Sequence, residues 1–171
     1  MTLLRTLPVS AEAFAPYGWV AEAHVEHRRS GRLINDGSTL RVDGVGELAL
    51  TADGGTPCIA VFRAQPRDPR GPWVELERHR LGTQTFVPMG GVPYVMLVAL
   101  GETAPEPATL AAFIVHGQQA VTLRAGTWHH GLIAPEGGDF VVIERSAEGV
   151  DCELAMLASA VTLVGSGGPA G

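Results

Sequence analysis

Short apolar runs, several of them alternating apolar with polar residues, follow one another along most of this chain. Glycine (22 residues) and proline (12 residues) separate the runs and do not pool in one linker. Such punctuation is typical of many short strands joined by turns. We therefore predict an all-β fold whose strands cover residues 32–35, 39–42, 58–63, 73–79, 83–87, 94–100, 112–115, 120–123, 127–133 and 140–145.

Near the N-terminus the pattern changes to that of one short helix. Ser10 can cap it, Glu12 lies favourably in its first turn, and Pro16 with Gly18 ends it. At 171 residues the chain fits one domain, which we place at residues 1–164. The Gly/Ser/Pro segment 165–171 offers little apolar surface to bury, so we predict a disordered tail there. For an all-β chain of this length, a jelly-roll barrel is the leading architecture.

The predicted strand at residues 73–79 carries side chains that can bind a ligand. A period of two gives this strand two faces, one with Trp73, Glu75, Glu77 and His79 and the other with Val74, Leu76 and Arg78. Glu77 and His79 therefore lie on the same face of the strand, which two side chains must do if they are to act on the same ligand.

Composition and charge exclude several classes of protein. The hydrophobic fraction of 46% and charged fraction of 18% fit a compact globular protein. The net charge is −6 and no basic run is present, so a nucleic-acid partner is not expected. No apolar run approaches the roughly 20 residues that span a bilayer, and no signal peptide is visible, so we expect a cytoplasmic protein. Cys58 and Cys152 lack C-x-x-C spacing, which argues against a zinc knuckle, a thioredoxin-type motif and a disulfide framework.

Glu77, His79, Gln84 and His129 form a spaced polar set inside segments that otherwise have strand character. A buried polar group without a partner costs roughly 1–3 kcal/mol, so inward groups of this kind indicate a ligand or complete hydrogen bonding. The spacing resembles the two motifs of cupin barrels, in which the second motif places a glycine, here Gly126, three residues before a histidine. This resemblance implies a cupin-like barrel whose four polar side chains can hold a divalent cation. A glutamate and a glutamine replace two usual ligands, which would weaken the binding.

Members of this set also have structural interpretations. His79 can be a surface histidine at the end of a strand, and Glu77 can pair with Arg78 or Arg80 in solvent. Trp128 is more typical of packing at the end of a barrel than of a platform for a substrate.

Longer stretches of the chain are similar to a known family. Residues 76–89 (LERHRLGTQTFVPM) resemble the signature stretch of ureidoglycolate lyases, long called ureidoglycolate hydrolases. Further similar pieces occur in the same order at residues 13–18, 62–66, 110–114, 126–130 and 139–140. The resemblance extends from about residue 3 to about residue 155.

The resemblance implies a homodimeric, cupin-like enzyme of purine and allantoin catabolism. Such a carbon–nitrogen lyase splits (S)-ureidoglycolate, a small anion, into glyoxylate and urea. The family description includes a stimulatory divalent metal, usually nickel, for which Glu77, His79, Gln84 and His129 are the candidate ligands. We expect Glu77 or His129 to act as base, and His79 as acid or metal ligand.

An anionic substrate predicts cationic or amide side chains in the site. Arg63 and Arg145 lie within or at the end of apolar strands, where a lone arginine needs a partner. Either arginine can bind the substrate carboxylate, and each can equally pair with Asp139 or Glu144. Gln84 can hydrogen-bond the ureido group instead of binding a metal.

Other functions stay open at this point. A different cupin enzyme, such as a metal-dependent oxygenase or isomerase, normally uses three histidines and a carboxylate, whereas only His79 and His129 fit that set here. A non-catalytic cupin that binds a metabolite is a further alternative. A ureidoglycolate amidohydrolase would release ammonia and carbon dioxide in place of urea, but such enzymes generally use dense metal clusters on larger α/β folds.

Overall fold

The computed structural model describes residues 1–22, 31–149 and 151–165. In these residues one short helix, α1 (Ala11–Phe14), and two 3₁₀ turns, Ala52–Gly54 and Pro107–Thr109, accompany the strands. The strands are β1 (Thr2–Pro8), β2 (Gly18–Ala21), β3 (Arg32–Ile34), β4 (Thr39–Arg41), β5 (Thr56–Ala64), β6 (Trp73–Arg78), β7 (Gln84–Met89), β8 (Tyr94–Ala99), β9 (Ala111–Val115), β10 (Ala120–Leu123), β11 (Trp128–His129), β12 (Gly138–Ser146) and β13 (Glu153–Val164).

The strands form a closed barrel and two open sheets. Over the described ranges, the barrel has the order β1–β13–β6–β11–β8–β9, the larger sheet has the order β2–β10–β7–β12–β5, and β3 and β4 form a ribbon. Strand β1 is parallel to both β13 and β9, and the other neighbouring strands are antiparallel. The predicted all-β, cupin-like barrel is confirmed.

Most predicted elements are present, with differences at the two ends of the chain. The helix is confirmed, because the Ser10 hydroxyl accepts a hydrogen bond from the Ala13 amide at 3.2 Å. Strands β1, β2 and β13 were not predicted, and β13 has an alanine-rich sequence of low strand propensity. The strand predicted at 127–133 was too long, since pairing stops at His129 and Gly131 is unfavourable inside a strand.

Strand β8 is buried on both faces and separates two apolar cores. Alternate residues of β8 enter a core between the barrel and the larger sheet, which contains Tyr94, Met96, Val98, Phe86 and Phe140. The intervening residues enter a second core enclosed by the barrel, which contains Val95, Leu97, Ala99, Trp73 and Trp128. A continuous apolar run is typical of such a strand, because neither face meets water.

The alternation predicted for residues 73–79 was wrong in its first half. Trp73 and Leu76 are both buried in the core enclosed by the barrel, while Val74 and Glu75 between them are exposed. The register of β13 against β6 shifts between Met156 and Val161, so the pairing of the two strands is irregular there. Such an irregularity re-aims neighbouring side chains, and a period of two cannot anticipate it.

Two predictions can be compared only with the described residues: the disordered tail and the lack of a membrane-spanning segment. In the tail predicted at 165–171, residues 166–171 lie outside the described residues. Among the residues that are described, no helix is long and apolar enough to cross a membrane.

Candidate active site and metal centre

Three ligand-type side chains meet where β6 and β11 pair. Glu77 and His129 are direct partners on these antiparallel strands, and His79 follows β6 by one residue. The potential ligand atoms of Glu77, His79 and His129 all lie within 4.8 Å of one another. The imidazole rings of His79 and His129 have their centroids 5.6 Å apart. We call these three residues the Glu77 cluster; the structure brings them together as the sequence pattern predicted.

Backbone carbonyls fix the orientation of both imidazole rings. Nδ1 of His129 lies 3.0 Å from the carbonyl oxygen of Thr127, and Nδ1 of His79 lies 3.0 Å from that of Asp151. A carbonyl oxygen only accepts hydrogen bonds, so Nδ1 carries the proton in each ring. The neutral imidazoles therefore keep a lone pair on Nε2, which is the arrangement that metal-ligating histidines use.

The His129 ring points its lone pair at Glu77. His129 is 1% exposed, and its Nε2 has no hydrogen-bond partner in the described part of the chain. Glu77 Oε1 is 3.5 Å from this nitrogen, which is too long for a good hydrogen bond. A lone pair and a carboxylate oxygen repel each other unless a proton or a cation lies between them. The unpartnered nitrogen, the second imidazole and the carboxylate therefore fit a divalent cation.

The charge of Glu77 is stabilised by its neighbours. When Nε2 of His129 also carries a proton, this ring is the largest cause that lowers the pKa of Glu77 below its ordinary value, and partial burial opposes this effect. His79 and a Cys152 thiol, whose sulfur lies 3.6 Å from Glu77 Oε2, lower it further. In return, burial and the Glu77 carboxylate raise the pKa of the Cys152 thiol. Glu77 is therefore ionised at neutral pH, and Cys152 is a thiol.

Gln84 lies beside this cluster in a cavity of about 270 Å³. The cavity is lined by His79, Gln84, Glu144, Arg145, Cys58 and Cys152, among others. The Gln84 amide nitrogen donates to Glu144 Oε2 at 2.8 Å, and its buried Oε1 has no partner among the described residues. The structure thus brings Gln84 to the same cavity as His79, as expected.

The two arginines proposed for the substrate have different positions. Arg145 lines the cavity, and its guanidinium donates to the carbonyl oxygens of Ala52 at 2.8 Å and Asp53 at 3.0 Å. Arg63 does not line the cavity; it is exposed and forms a two-bond ion pair with Asp139 at 2.8 and 2.9 Å. Arg63 therefore matches the ion-pair alternative that the sequence left open.

Arg78, which lies between Glu77 and His79 in the sequence, has a structural role. Its guanidinium donates to Glu153 and to the carbonyl oxygens of Gly101 and Glu102, and it stacks on Trp128 with 4.2 Å between the guanidinium carbon and the ring centroid. The interpretation of Glu77 as a solvent partner of Arg78 or Arg80 was wrong, because both arginines pair with Glu153. Trp128 is packed in the core, as the structural interpretation expected.

Sequence reasoning missed three residues of the site. Asp151 accepts hydrogen bonds from the amides of Arg80 and Leu81 with its carboxylate, and its carbonyl oxygen holds His79. Cys152 contacts Glu77, and Glu144 contacts Gln84. Asp151 and Cys152 precede the unpredicted strand β13, so no pattern signalled that they return to the end of β6.

Comparisons with known proteins agree with the resemblance in the sequence. The family model described as ureidoglycolate lyase matches residues 1–164. A ureidoglycolate lyase of Escherichia coli O139:H28 is 41% identical over 143 residues, which are 83% of this chain and 87% of the relative. A ureidoglycolate lyase of Burkholderia mallei (strain NCTC 10229) is 37% identical over 150 residues, which are 87% of this chain and 86% of the relative. One of Pseudomonas fluorescens (strain Pf0-1) is 34% identical over 154 residues, which are 88% of this chain and 90% of the relative.

Proposed function

This chain belongs to the ureidoglycolate lyase family, and we propose that its Glu77 cluster is where (S)-ureidoglycolate is split into glyoxylate and urea. The observation that carries this assignment is the unpartnered Nε2 of His129, held towards the Glu77 carboxylate beside a second imidazole. The chain is accordingly a carbon–nitrogen lyase.

The reaction needs two proton movements and no water. One carbon of ureidoglycolate bears a hydroxyl, a carboxylate and the ureido nitrogen. Loss of the hydroxyl proton lets that oxygen form the aldehyde of glyoxylate while the C–N bond breaks. The bond electrons stay with the nitrogen, which takes a proton and leaves as urea. A base and an acid on nearby side chains each contribute roughly 10²–10⁴-fold to such a step.

The Glu77 cluster supplies a candidate for each role. Glu77 is ionised at neutral pH, since its pKa is lowered, and the oxygen lone pairs of an ionised carboxylate can accept the hydroxyl proton. His129 is the alternative base, since its Nε2 is free of a hydrogen bond. We assign the proton donor to His79 in its doubly protonated form: the Asp151 carbonyl holds Nδ1–H, so the proton given to the leaving nitrogen comes from Nε2. Held rings keep the acid and base in one geometry, which raises their effective concentration.

As an alternative to these acid and base roles, the same three side chains would hold a divalent metal. Two imidazole nitrogens and a carboxylate suit a borderline cation such as nickel(II) or zinc(II), and we propose nickel. When bound, the cation supplies a positive charge that lowers the pKa of the substrate hydroxyl. The tie from each Nδ1 to a carbonyl keeps both rings in the tautomer that a metal requires.

Arg145 is our candidate for the substrate carboxylate. It lines the cavity and donates to two backbone carbonyls, and it has no ion pair with a carboxylate in the residues the structure describes. An arginine without an anionic partner beside a cavity is suited to an anionic ligand. Arg63 is the weaker candidate for this role, because its charge is already matched by Asp139.

A homodimer is also part of this proposal. Strand β5 ends the larger sheet, and its Ile59 and Val61 are largely exposed. An edge strand with exposed apolar side chains is stabilised when a second copy covers it. Sedimentation at several protein concentrations measures the assembly, and a monomer at all of them would refute the dimer.

The function is tested by giving the purified protein racemic ureidoglycolate and measuring urea, ammonia and glyoxylate separately. We expect equal amounts of urea and glyoxylate, above the spontaneous rate, with half of the racemate consumed. Glu77→Gln should lower the rate about 10²–10⁴-fold, whereas the matched control Glu75→Gln, an exposed glutamate on the same strand, should not. Loss of the rate on chelation and its recovery with nickel would assign the three side chains to the metal, whereas a rate that chelation leaves unchanged would assign them to the acid and base roles. Binding without turnover would refute the lyase assignment, and ammonia in place of urea would indicate an amidohydrolase.

A further inference from the structure

Gln84 and Glu144 form a pair on neighbouring strands at the wall of the cavity. Strands β7 and β12 pair through Thr85 and Ile143, so the adjacent Gln84 and Glu144 lie side by side. Gln84 is 5% exposed, and its amide nitrogen donates to Glu144 Oε2 at 2.8 Å. Within the described residues this is the only hydrogen bond that the side-chain amide of Gln84 forms.

The chemistry of the pair decides which way the amide faces. A carboxylate accepts hydrogen bonds and cannot donate one, so the NH₂ end of Gln84 must lie towards Glu144. The other end, Oε1, is then held away from Glu144, buried and without a donor. A buried carbonyl without a donor is unfavourable, and most such groups in proteins are satisfied by a ligand, water or a neighbouring group. Glu144 therefore leaves an unpaired hydrogen-bond acceptor on Gln84, a residue that lines the cavity.

The acceptor matches one part of the proposed substrate. Ureidoglycolate has a carboxylate, a hydroxyl and a ureido group, and the ureido group carries its N–H donors. The inner ureido nitrogen must take a proton as the C–N bond breaks, which leaves the terminal NH₂ as the donor free to be held throughout. Cys58 and Cys152, which line the same cavity, are weak hydrogen-bonding groups and do not compete strongly for it.

We propose that Gln84 Oε1 accepts a hydrogen bond from the terminal NH₂ of the ureido group, and that Glu144 is the positioning residue that orients Gln84 for this contact. The inference rests on the proposed function, because it takes ureidoglycolate as the ligand. It gives the enzyme a way to recognise ureido compounds apart from the recognition of their carboxylate.

Two unreactive ligands test the contact without turnover. N-carbamoylglycine is ureidoglycolate without its hydroxyl, and N-acetylglycine replaces the terminal NH₂ of that analogue by a methyl group. We expect the wild-type protein to bind N-carbamoylglycine about tenfold more tightly in titration calorimetry, the usual effect of leaving one buried acceptor unpaired. Gln84→Ala should bind both ligands equally.

Variants of Glu144 test its positioning role. Glu144→Leu leaves the amide free to turn, so the preference should fall close to one. Glu144→Gln retains an acceptor but allows both orientations of the amide pair, so the preference should fall by about twofold. In a Gln84→Ala background, Glu144→Leu should change the preference no further, because the two residues act as a unit. Thermal melts check that each variant is folded, and Glu144→Gln is the near-isosteric variant if Glu144→Leu does not fold.

Three results would overturn the inference. These are equal binding of the two ligands by wild-type protein, a preference retained by Gln84→Ala, and a preference retained by folded Glu144→Leu. Titrations with nickel-loaded and chelator-treated protein give a separate result: Gln84→Ala that loses nickel affinity but keeps the preference would make Gln84 a metal ligand and refute the contact. None of these depends on whether wild-type protein releases urea, so a failure of the lyase assignment is seen separately.

Discussion

Replacing Arg78 by methionine should destabilise the protein far more than replacing its neighbour Arg80. Arg78 has a side chain that is 4% exposed, and its guanidinium donates to the carbonyl oxygens of Gly101 at 3.2 Å and Glu102 at 2.7 Å. It also stacks on Trp128 and pairs with Glu153 at 2.6 Å. Methionine has a similar length and retains the packing, but it leaves the two carbonyls and the carboxylate without their donor.

The contacts of Arg78 set the expected magnitude. A hydrogen bond to a charged group contributes about 1.5–3 kcal/mol, and a desolvated cation–π contact contributes about 2 kcal/mol. The Glu153 side chain is 43% exposed, so solvent screens the ion pair and we count less than about 1 kcal/mol for it. The methionine recovers part of the packing. We therefore expect Arg78→Met to lower the free energy of unfolding by about 3–5 kcal/mol, most of it from the two carbonyls left without a donor and from the lost contact with Trp128.

Arg80→Met is the matched control, because Arg80 pairs with the same Glu153 but is 51% exposed. Its pair, at 3.4 Å, should contribute less than about 1 kcal/mol. Guanidinium chloride unfolding is the suitable assay, since urea is a product of the reaction, and thermal melts should show a drop of roughly 6–20 °C for Arg78→Met. Equal destabilisation by the two substitutions would refute the reasoning that burial, and not the ion pair, determines the role of Arg78.

Three further predictions concern pH, metal and packing. Arg78 holds the pKa of Glu153 below its ordinary value of about 4.5, so the ionised carboxylate stabilises the fold above that pH and loses this effect as the pH falls through its folded-state pKa. The difference in unfolding free energy between wild type and Arg78→Met should therefore narrow below about pH 4.5. A difference that stays constant with pH would contradict this. Nickel at about 100 times its Kd should stabilise the protein by about 2.7 kcal/mol in a thermal melt, and His129→Gln should abolish the shift. Gly82→Ala should destabilise the protein by about 1–3 kcal/mol and weaken substrate binding, because the new Cβ would lie 2.7 Å from Arg145 Cβ. In the control Gly149→Ala, in the same cavity wall, the new Cβ meets nothing within 4 Å, so neither stability nor binding should change.

Much of the fold was predictable because it depends on local patterns. The continuous apolar run of β8 and the capped start of α1 follow from rules that involve neighbouring residues alone. The register shift between β6 and β13 depends on pairing with a strand about eighty residues away in the sequence. The alanine-rich sequence of that strand did not predict the pairing. The faces of Trp73 and Leu76 were therefore assigned wrongly, although Glu77 and His79 do come together.

The site was predictable to the same extent. Glu77, His79, Gln84 and His129 were chosen because their spacing resembles a family pattern, and the cavity and cluster contain all four. Glu144 and Cys152 have no spacing of their own that marks them, because they approach Gln84 and Glu77 only through strand pairing or chain return. The outward position of Arg63 follows from the register of β5 against β12, in which Arg63 and Asp139 are direct partners.

The geometry of the site depends on backbone positions more than on other charged side chains. Strand β11 has two residues, and His129 pairs with Glu77 of β6 on one side and Val98 of β8 on the other. That double pairing fixes the Cα of His129, and the Thr127 carbonyl, two residues earlier, then fixes its ring. His79 is held in the same manner by the carbonyl of Asp151. Since carbonyl oxygens do not titrate, both rings keep Nδ1–H and a free Nε2 over the whole range in which the imidazoles are neutral. A site oriented by carboxylates would lose that orientation when they were protonated, so backbone ties suit the role that we propose for Glu77, which gains and loses a proton in each turnover.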